Sequence, residues 1–139
     1  MARFMIDGMD DVMAVYTRKG QRSRTIVEDA LKKSANTLKE RLQREVKSSL
    51  KAPSGELGRT IGWDKIWHMN SASGVYVYPQ GNYTGVRGTK VRRAAEVGFV
   101  IEHGRGGVRP MEPNPWNARG ARKERKRINT IITEELKKL

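Results

Sequence analysis

Hydrophobic residues recur at three- and four-residue steps from Thr25 to about Leu50. This spacing places them on one face of an α-helix, with charged residues on the other faces. The Ala-Pro-Ser-Gly sequence at 52–55 ends the helix, because proline disfavours helical backbone in the residue before it. The pattern predicts one long amphipathic helix whose apolar stripe packs in the protein core. The stripe consists of Val27, Leu31, Ala35, Leu38, Leu42, Val46 and Leu50.

Alternating apolar and polar positions predict strands elsewhere. Phe4 and Ile6 indicate a short strand, and a turn at 8–11 leads into a short helical piece ending near Tyr16. Residues 57–69 are predicted to be extended, with a bulge near Lys65 where the alternation slips. After turn residues at 70–74, the segment 75–78 alternates cleanly, so these two runs are predicted to form an antiparallel hairpin.

The last third of the chain combines a strand-like run with a stiff connection. Residues 97–101 are predicted to form a third strand, and three prolines then lead to Trp116. A basic helix is predicted from about Ala118, so the connection positions this helix accurately. The expected fold class is α+β, with the long helix and the C-terminal helix packed on a small antiparallel β-sheet. The apolar positions of the terminal helix are Ile128, Ile131, Ile132, Leu136 and Leu139.

Composition narrows the class of protein. A length of 139 residues predicts a single domain over 1–139, and the chain has no cysteine. Disulfides and thiolate metal sites are therefore excluded, and the chain can fold in a reducing cytoplasm. No apolar run reaches the length of a signal peptide or of a membrane span, which predicts a soluble protein without membrane contact.

The net charge of +13 is concentrated in three stretches. Residues 17–24, 79–95 and 119–127 together hold fourteen basic residues and one acid, so the rest of the chain is neutral. The second stretch has three glycines and few apolar residues, which predicts a mobile basic loop over 79–95. Clustered positive charge is typical of proteins that contact a polyanion or acidic protein surfaces, and it also occurs as a solvated face.

The sequence offers little for catalysis. His68 and His103 are the two histidines, and no metal-binding spacing surrounds either. On a strand, Glu102 and His103 would point to opposite faces, so adjacency gives no catalytic dyad. The glycines at 104–107 lack the ending of a P-loop. We therefore predict no enzyme, no cofactor and no metal, and we expect Glu102 to orient backbone amides of the loop or to contact a subunit.

Three segments carry a resemblance to a known family. Gly55-x-Leu57-x-x-x-Ile61 is similar to its small-Gly-x-Leu-x-x-Ser-Ile segment, and residues 100–104 are similar to its Val-Glu-aromatic-Gly-Thr motif. Pro-Trp-Asn-Ala at 115–118 stands where the family tends to have Pro-Phe and, a few residues later, Ala. With the order of predicted elements, these segments resemble the neck or tail-completion proteins of long-tailed phages and prophages.

The resemblance implies a virion structural protein without catalytic activity. Its subunits would form a homo-oligomeric ring at the head–tail junction of the virion after assembly in the host cytoplasm. Its partners would be a head-completion or connector protein on one side and a tail terminator or tail tube protein on the other. Genomic DNA would pass through the ring with transient, non-specific contact.

Three residue groups receive roles on this basis. Four residues of the basic loop would face the DNA channel or a neighbour: Arg87, Lys90, Arg92 and Arg93. Three residues of the terminal helix would dock on an acidic partner ring: Arg122, Arg125 and Lys126. The subunit interface would include Glu102, His103, Gly104 and Trp116, because a strand end followed by a rigid turn exposes backbone groups at a sheet edge.

Two alternatives remain open at the level of sequence. Strong basicity also fits a nucleic-acid-binding module without sequence specificity that acts outside any particle. A small enzyme such as a nuclease would need a clustered acidic or histidine-containing site, and the scattered carboxylates argue against it.

Overall fold

The computed structural model describes residues 2–6, 21–49, 54–69, 72–84, 91–107 and 110–139. Its first helix, α1 (Gln21–Ser49), confirms the predicted long amphipathic helix and begins somewhat earlier than Thr25. The stripe residues within it are buried, with at most 2% of each exposed. Leu50, which was predicted to continue the stripe, lies outside the described residues, as does the predicted helical piece near Tyr16.

The C-terminal helix, α4 (Trp116–Leu136), packs along α1. The two helices run antiparallel, because the start of α4 contacts the end of α1 at Glu45 and the end of α4 contacts Lys33. Ile128 is buried, and Ile132 and Leu136 pack partly buried against the same core. The predicted stripe of the terminal helix is thus confirmed at these positions.

The sheet is built around one central strand, β4 (Ser73–Pro79). On one side it pairs antiparallel with β1 (Ala2–Ile6), and on the other with β2 (Ile61–Gly62) and β3 (Ile66–His68). Val75 and Val77 are buried while Tyr76 is exposed, so one face of β4 covers α1 and the other faces outward. The predicted α+β fold is confirmed.

The predicted bulge is also present. Gly62 pairs with Tyr78, whereas Ile66 pairs with Val75, so three residues of one strand lie opposite two residues of the other. An extra residue of this kind shifts the register by one and resets which side chains face the core. The slip in alternation near Lys65 therefore had a structural cause, and the hairpin forms as predicted.

Residues from Leu57 onward were predicted to be extended, and this prediction is wrong for 57–60. These four residues belong to a short helix, α2 (Ser54–Thr60), which leads directly into β2. Leu57 and Ile61 are four residues apart and both are buried against α1. The Gln43 amide of α1 donates a hydrogen bond to the Gly58 carbonyl oxygen at 3.1 Å. Packing against α1 thus outweighs the strand-like appearance of this segment.

The predicted third strand at 97–101 is likewise wrong, because these residues lie in a helix, α3 (Ala94–His103). Its buried side is formed by Ala94 and Gly98, with Val97 and Ile101 packed partly buried against the core. These four positions are spaced i, i+3, i+4 and i+7, which is helical periodicity. The β-branched composition fitted a strand equally well, and tertiary packing decided between the two.

The basic loop predicted over 79–95 contains regular structure at both ends. A small antiparallel pair, β5 (Asn82–Thr84) and β6 (Val91–Arg93), leads into α3 at Ala94. The pair is anchored by the Ala94 amide, which donates a hydrogen bond to the Gly81 carbonyl oxygen at 2.8 Å. The prediction of a loop without secondary structure is therefore corrected for 82–84 and 91–93, and residues 85–90 lie outside the described residues.

We expect Gly120→Ala to destabilise the protein, because α1 and α4 approach most closely there. A Cβ at Gly120 would lie 2.7 Å from Leu42 Cδ2 and 3.2 Å from Glu45 Cγ, both on buried residues. Overpacking costs roughly 1–3 kcal/mol, and better helix propensity offsets about 1 kcal/mol of it. Urea unfolding should show a lower midpoint with an unchanged slope.

Gly106→Ala is the matched control, since a Cβ at Gly106 meets nothing within 4 Å. It should leave the midpoint nearly unchanged. A Gly120→Ala variant that is more stable than the parent would contradict the close packing of α1 and α4.

Candidate interaction surfaces

Glu102 caps the start of α4 from a neighbouring helix. The Asn117 and Ala118 amides donate hydrogen bonds to its two carboxylate oxygens, at 2.7 and 3.1 Å. The first amides of a helix lack partners within the helix and carry partial positive charge, so a carboxylate stabilises them. The residue before α4, Pro115, makes no side-chain cap of its own. Glu102 was predicted to orient amides of the loop or to contact a subunit, and the amides that it binds in this structure belong to α4 instead.

Trp116 lies in the core of this chain, with 1% of its surface exposed. Its indole Nε1–H donates a hydrogen bond to the Gly98 carbonyl oxygen in α3 at 3.1 Å. A side chain buried to this extent has no surface left for another subunit. The assignment of Trp116 to a subunit interface is therefore corrected: it anchors the start of α4 to α3.

Gly104 has a structural reason to be glycine. It ends α3 with a φ of 74°, and a Cβ there would lie 2.5 Å from the Met111 carbonyl oxygen and 2.8 Å from the Pro113 nitrogen. The turn that follows is closed by two backbone hydrogen bonds between Arg105 and Met111. Gly104 and the turn therefore return the chain toward α4, at a helix end and not at the sheet edge that was predicted. His103 is exposed beside them.

Carboxylates on the inner face of α4 pair with cations of α1, and a carboxylate of α1 pairs with cations of α4. Glu45 of α1 accepts hydrogen bonds from Arg119 Nε at 3.0 Å and from Lys123 Nζ. Burial raises the pKa of Glu45, but these two hydrogen bonds outweigh it and leave the pKa below its ordinary value. Glu45 therefore stays charged between the helices.

Two buried glutamates of α4 repeat this arrangement along the helix. Glu124 accepts a hydrogen bond from Arg41 Nε at 2.7 Å, and Arg44 lies 3.8 Å away. Glu135 pairs with Lys33 of α1 and with Lys138 at 3.0 Å. Hydrogen bonds from these two lysines lower the pKa of Glu135. The two helices are thus joined by reciprocal ion pairs along much of their length.

This pairing divides the basic run at 119–127 into two groups. Arg119 and Lys123 are held by Glu45, and Arg127 lies 4.0 Å from Glu124. The remaining three residues are exposed and form no ion pair with another described residue: Arg122, Arg125 and Lys126. These are the residues predicted to dock on an acidic partner, and the structure places all three on the outward face of α4.

The residues predicted to line a DNA channel are only partly described. Arg87 and Lys90 lie outside the described residues. The backbone of Arg92 pairs with Tyr83 in the small β5–β6 sheet. Arg93 is exposed at the junction of β6 and α3. The structure therefore places the backbone of two of the four directly before α3.

An exposed aromatic pair on α3 was missed by the sequence analysis. Phe99 is 62% exposed, and its ring centroid lies 4.4 Å from that of His103, with the planes tilted by 46°. Glu96 is exposed three residues before Phe99. The sequence signal for this pair was the helical spacing of positions 96, 99 and 103, which place their side chains on one face of a helix. It was not recognised because the segment was assigned to a strand.

A second arrangement missed from sequence links the hairpin to α1. His68 Nδ1 lies 2.7 Å from the Ser73 hydroxyl oxygen, and His68 Nε2 lies 3.2 Å from Glu28 Oε1. Burial raises the pKa of Glu28, but hydrogen bonds from Arg24 and His68 leave it lowered. His68 and Ser73 are cross-strand partners in the hairpin, so its register could have revealed the contact.

The order Ser–His–Glu is that of a hydrolase triad, but burial of the serine rules out this chemistry in the folded hairpin. Ser73 is 1% exposed, so a substrate carbonyl could not reach its hydroxyl. The contact instead joins the β3–β4 hairpin to α1. Among the residues that the structure describes, no three His, Asp or Glu side chains are grouped as metal ligands.

No family model, characterised protein or solved structure matches this chain. Over the described ranges, no helix combines the length and the apolar character needed to cross a membrane.

We expect Glu102→Ala to destabilise the protein by about 0.5–2 kcal/mol, because the first amides of α4 lose their acceptor. Chemical unfolding should report the loss. Glu112→Ala serves as the control, since Glu112 is an exposed carboxylate in the connection to α4. Equal effects of the two substitutions would argue against the cap.

Stability should also depend on pH through the glutamates between α1 and α4. The pKa values of Glu45 and Glu135 are lower in the folded state, so their stabilisation is present above the unfolded pKa and is lost as pH falls. We therefore expect unfolding free energy to decline below about pH 4.5. Unfolding curves between pH 7 and pH 3 would measure this.

Glu45→Gln should lower stability at pH 7 by about 1–3 kcal/mol, because it removes a buried charged acceptor. It should also make the decline below pH 4.5 shallower. Glu40→Gln is the control, since Glu40 is exposed on the same helix. A Glu45→Gln variant with the parent's pH dependence would show that this ion pair contributes nothing.

Proposed function

We propose that this chain is a structural protein of the phage neck, with no catalytic activity. In this role it forms a homo-oligomeric ring that joins the DNA-filled head connector to the tail and surrounds the DNA channel. Its neighbours are a head-completion or connector protein and a tail terminator or tail tube protein. It assembles in the host cytoplasm and ends at the head–tail junction of the virion.

One observation carries most of the proposal: α4 is a rigidly positioned helix with cations on its outward face. Trp116 and Glu102 fix its start, and buried glutamates fix which face turns inward. Positive charge is therefore presented at a defined place on the surface. A scaffold of this kind suits a structural protein that must dock accurately on a neighbouring protein subunit.

The segments that resemble the neck family also have a structural role in this fold. Leu57 and Ile61 are buried against α1. Glu102 and Gly104 lie at the end of α3 and form part of the connection from α3 to α4. The resemblance therefore involves residues on which the fold depends, which supports a shared architecture with that family.

Contact with DNA in the channel follows from charge without sequence reading. Arginine and lysine near phosphates attract any duplex without reading its sequence. Weak contact is suitable here, because tight binding would impede passage of the genome.

The decisive experiment is electron microscopy of phage particles produced with this gene disrupted. We expect separate filled heads and finished tails, and joined virions when the parent gene is supplied again. Supplying Glu134→Gln, a change at an exposed residue near the end of α4, should restore joining equally well. Normally joined virions without the gene would overturn the neck role.

The second candidate is a nucleic-acid-binding module that acts outside any particle, and the exposed cations of α4 are the observation that favours it. A duplex bound by the isolated protein distinguishes the two. For three phosphate contacts, counterion release predicts roughly 40-fold weaker binding between 50 and 200 mM salt. The neck role predicts weak binding with this dependence, whereas stoichiometric binding by the monomer at physiological salt would favour the module.

The contribution of α4 can be measured in the same titration. Replacing Arg122, Arg125 and Lys126 together by glutamine should remove most of the salt dependence. Lys32→Gln, at an exposed lysine of α1, is the single-charge control. An unchanged salt dependence in the triple variant would exclude the outward face of α4 as the DNA-contacting surface.

A further inference from the structure

Helix α3 has two opposite faces, and one of them packs against the core of this chain. Ala94, Val97, Gly98 and Ile101 form the inner face against the core. Positions 96, 99, 100 and 103 share the same i, i+3, i+4, i+7 spacing and therefore lie on the opposite side of the helix. Within the described part of the chain, this outer face is exposed or half-exposed.

The outer face has an aromatic centre. Phe99 is 62% exposed and stacks at an angle on His103, with centroids 4.4 Å apart. The two rings are four residues apart on a helix whose inner face is packed, so the helix backbone fixes their relative position. Aromatic side chains, including phenylalanine, are enriched at protein interfaces.

The charge of α3 is opposite to that of the longer helices. It contains Glu96 and Glu102 and neither lysine nor arginine, whereas α1 and α4 each contain more basic than acidic residues. Glu102 is occupied by the start of α4, which leaves Glu96 exposed beside Phe99. The outer face of α3 is therefore suited to a cationic helix, and this chain supplies one.

The outward face of α4 has the matching spacing. Arg122 and Arg125 are three residues apart, as are Glu96 and Phe99, and exposed Asn129 follows at the interval that separates His103 from Phe99. In a parallel alignment, Arg122 meets Glu96, Arg125 stacks on Phe99 and Asn129 meets His103. Guanidinium groups pair with carboxylates and stack on aromatic rings, so each contact is chemically favourable.

We propose that the outer face of α3 binds the outward face of α4 of a second copy of this chain. The contact rests on the proposed ring and names the surfaces that would form it. The two surfaces share no residue, so each subunit offers both at once. A head-to-tail contact of this kind forms a ring when the rotation between successive subunits closes, and an open filament when it does not. Arg122 and Arg125 then face a neighbouring subunit, not an acidic ring of another protein.

Sedimentation velocity of the purified protein over a range of concentrations tests the proposal. The parent should self-associate, and Phe99→Ala and Arg125→Glu should each raise the dissociation constant by roughly tenfold or more, because each removes one side of the same contact. The controls are Met69→Ala, at a residue that is 67% exposed in the hairpin, and Lys32→Glu, at an exposed residue of α1. Circular dichroism would confirm that all four variants are folded.

Mixing the two interface variants gives the sharpest readout. The Phe99→Ala variant keeps an intact α4 face, and the Arg125→Glu variant keeps an intact α3 face. At a protein concentration where each variant is monomeric by itself, a mixture should form dimers that grow no further. A parent that stays monomeric, variants that associate like the parent, or a mixture without dimers would each overturn the proposal.

The particle experiment separates this proposal from the neck role. If gene disruption separates heads from tails but Phe99→Ala particles are joined normally, the neck role stands and this interface is wrong. If Phe99→Ala prevents joining while its self-association equals that of the parent, the face binds another neck protein and the second copy is excluded. If disruption leaves particles joined, the neck role fails whatever the sedimentation result.

Discussion

The burial of glutamates between α1 and α4 is the constraint on which the rest of the molecule depends. A buried carboxylate is tolerated when cations and hydrogen bonds compensate for its lost hydration. Glu124 and Glu135 meet cations of α1, and Glu45 meets cations of α4. Because the acids must face inward, the rotation of α4 about its axis is fixed. The cations outside the pairs are consequently directed to solvent.

The position of α4 along its own axis is fixed by separate contacts at the start of this helix. The indole of Trp116 is held by the carbonyl of Gly98, and Glu102 holds the next two amides. Both contacts come from α3, which itself packs on β4 and follows the β5–β6 pair. The accuracy expected of the proline-rich connection therefore comes from the helix before it as much as from the prolines. Rotation and axial position together define where the outward cations lie.

Periodicity predicted the parts of the fold whose burial follows from their own sequence. The α1 stripe, the hairpin and its bulge all repeat at a single clear period, so they could be recognised directly. The segment at 97–101 fitted both a strand and a helix, and only the buried neighbours of Ala94 and Gly98 decide between them. Charge counting could not separate paired from exposed cations, because the pairs join residues 74 to 102 positions apart. The spacing of Gly120, Glu124 and Ile128 was nevertheless a usable signal, since these inward positions of α4 set its helical phase.

The distribution of charge also connects folding with assembly. Three of the seven carboxylates of α1 and α4 are buried in ion pairs, and the outward cations of α4 remain exposed on a chain of net charge +13. Copies with this surface repel one another at long range, which opposes a ring of identical subunits. Two features reduce that cost under the proposed function: local pairing of α4 cations with the acidic, aromatic face of α3, and neutralisation of the remaining charge by a polyanion. A ring closed around DNA would have both, so DNA should strengthen an association that the contact between α3 and α4 already provides in solution.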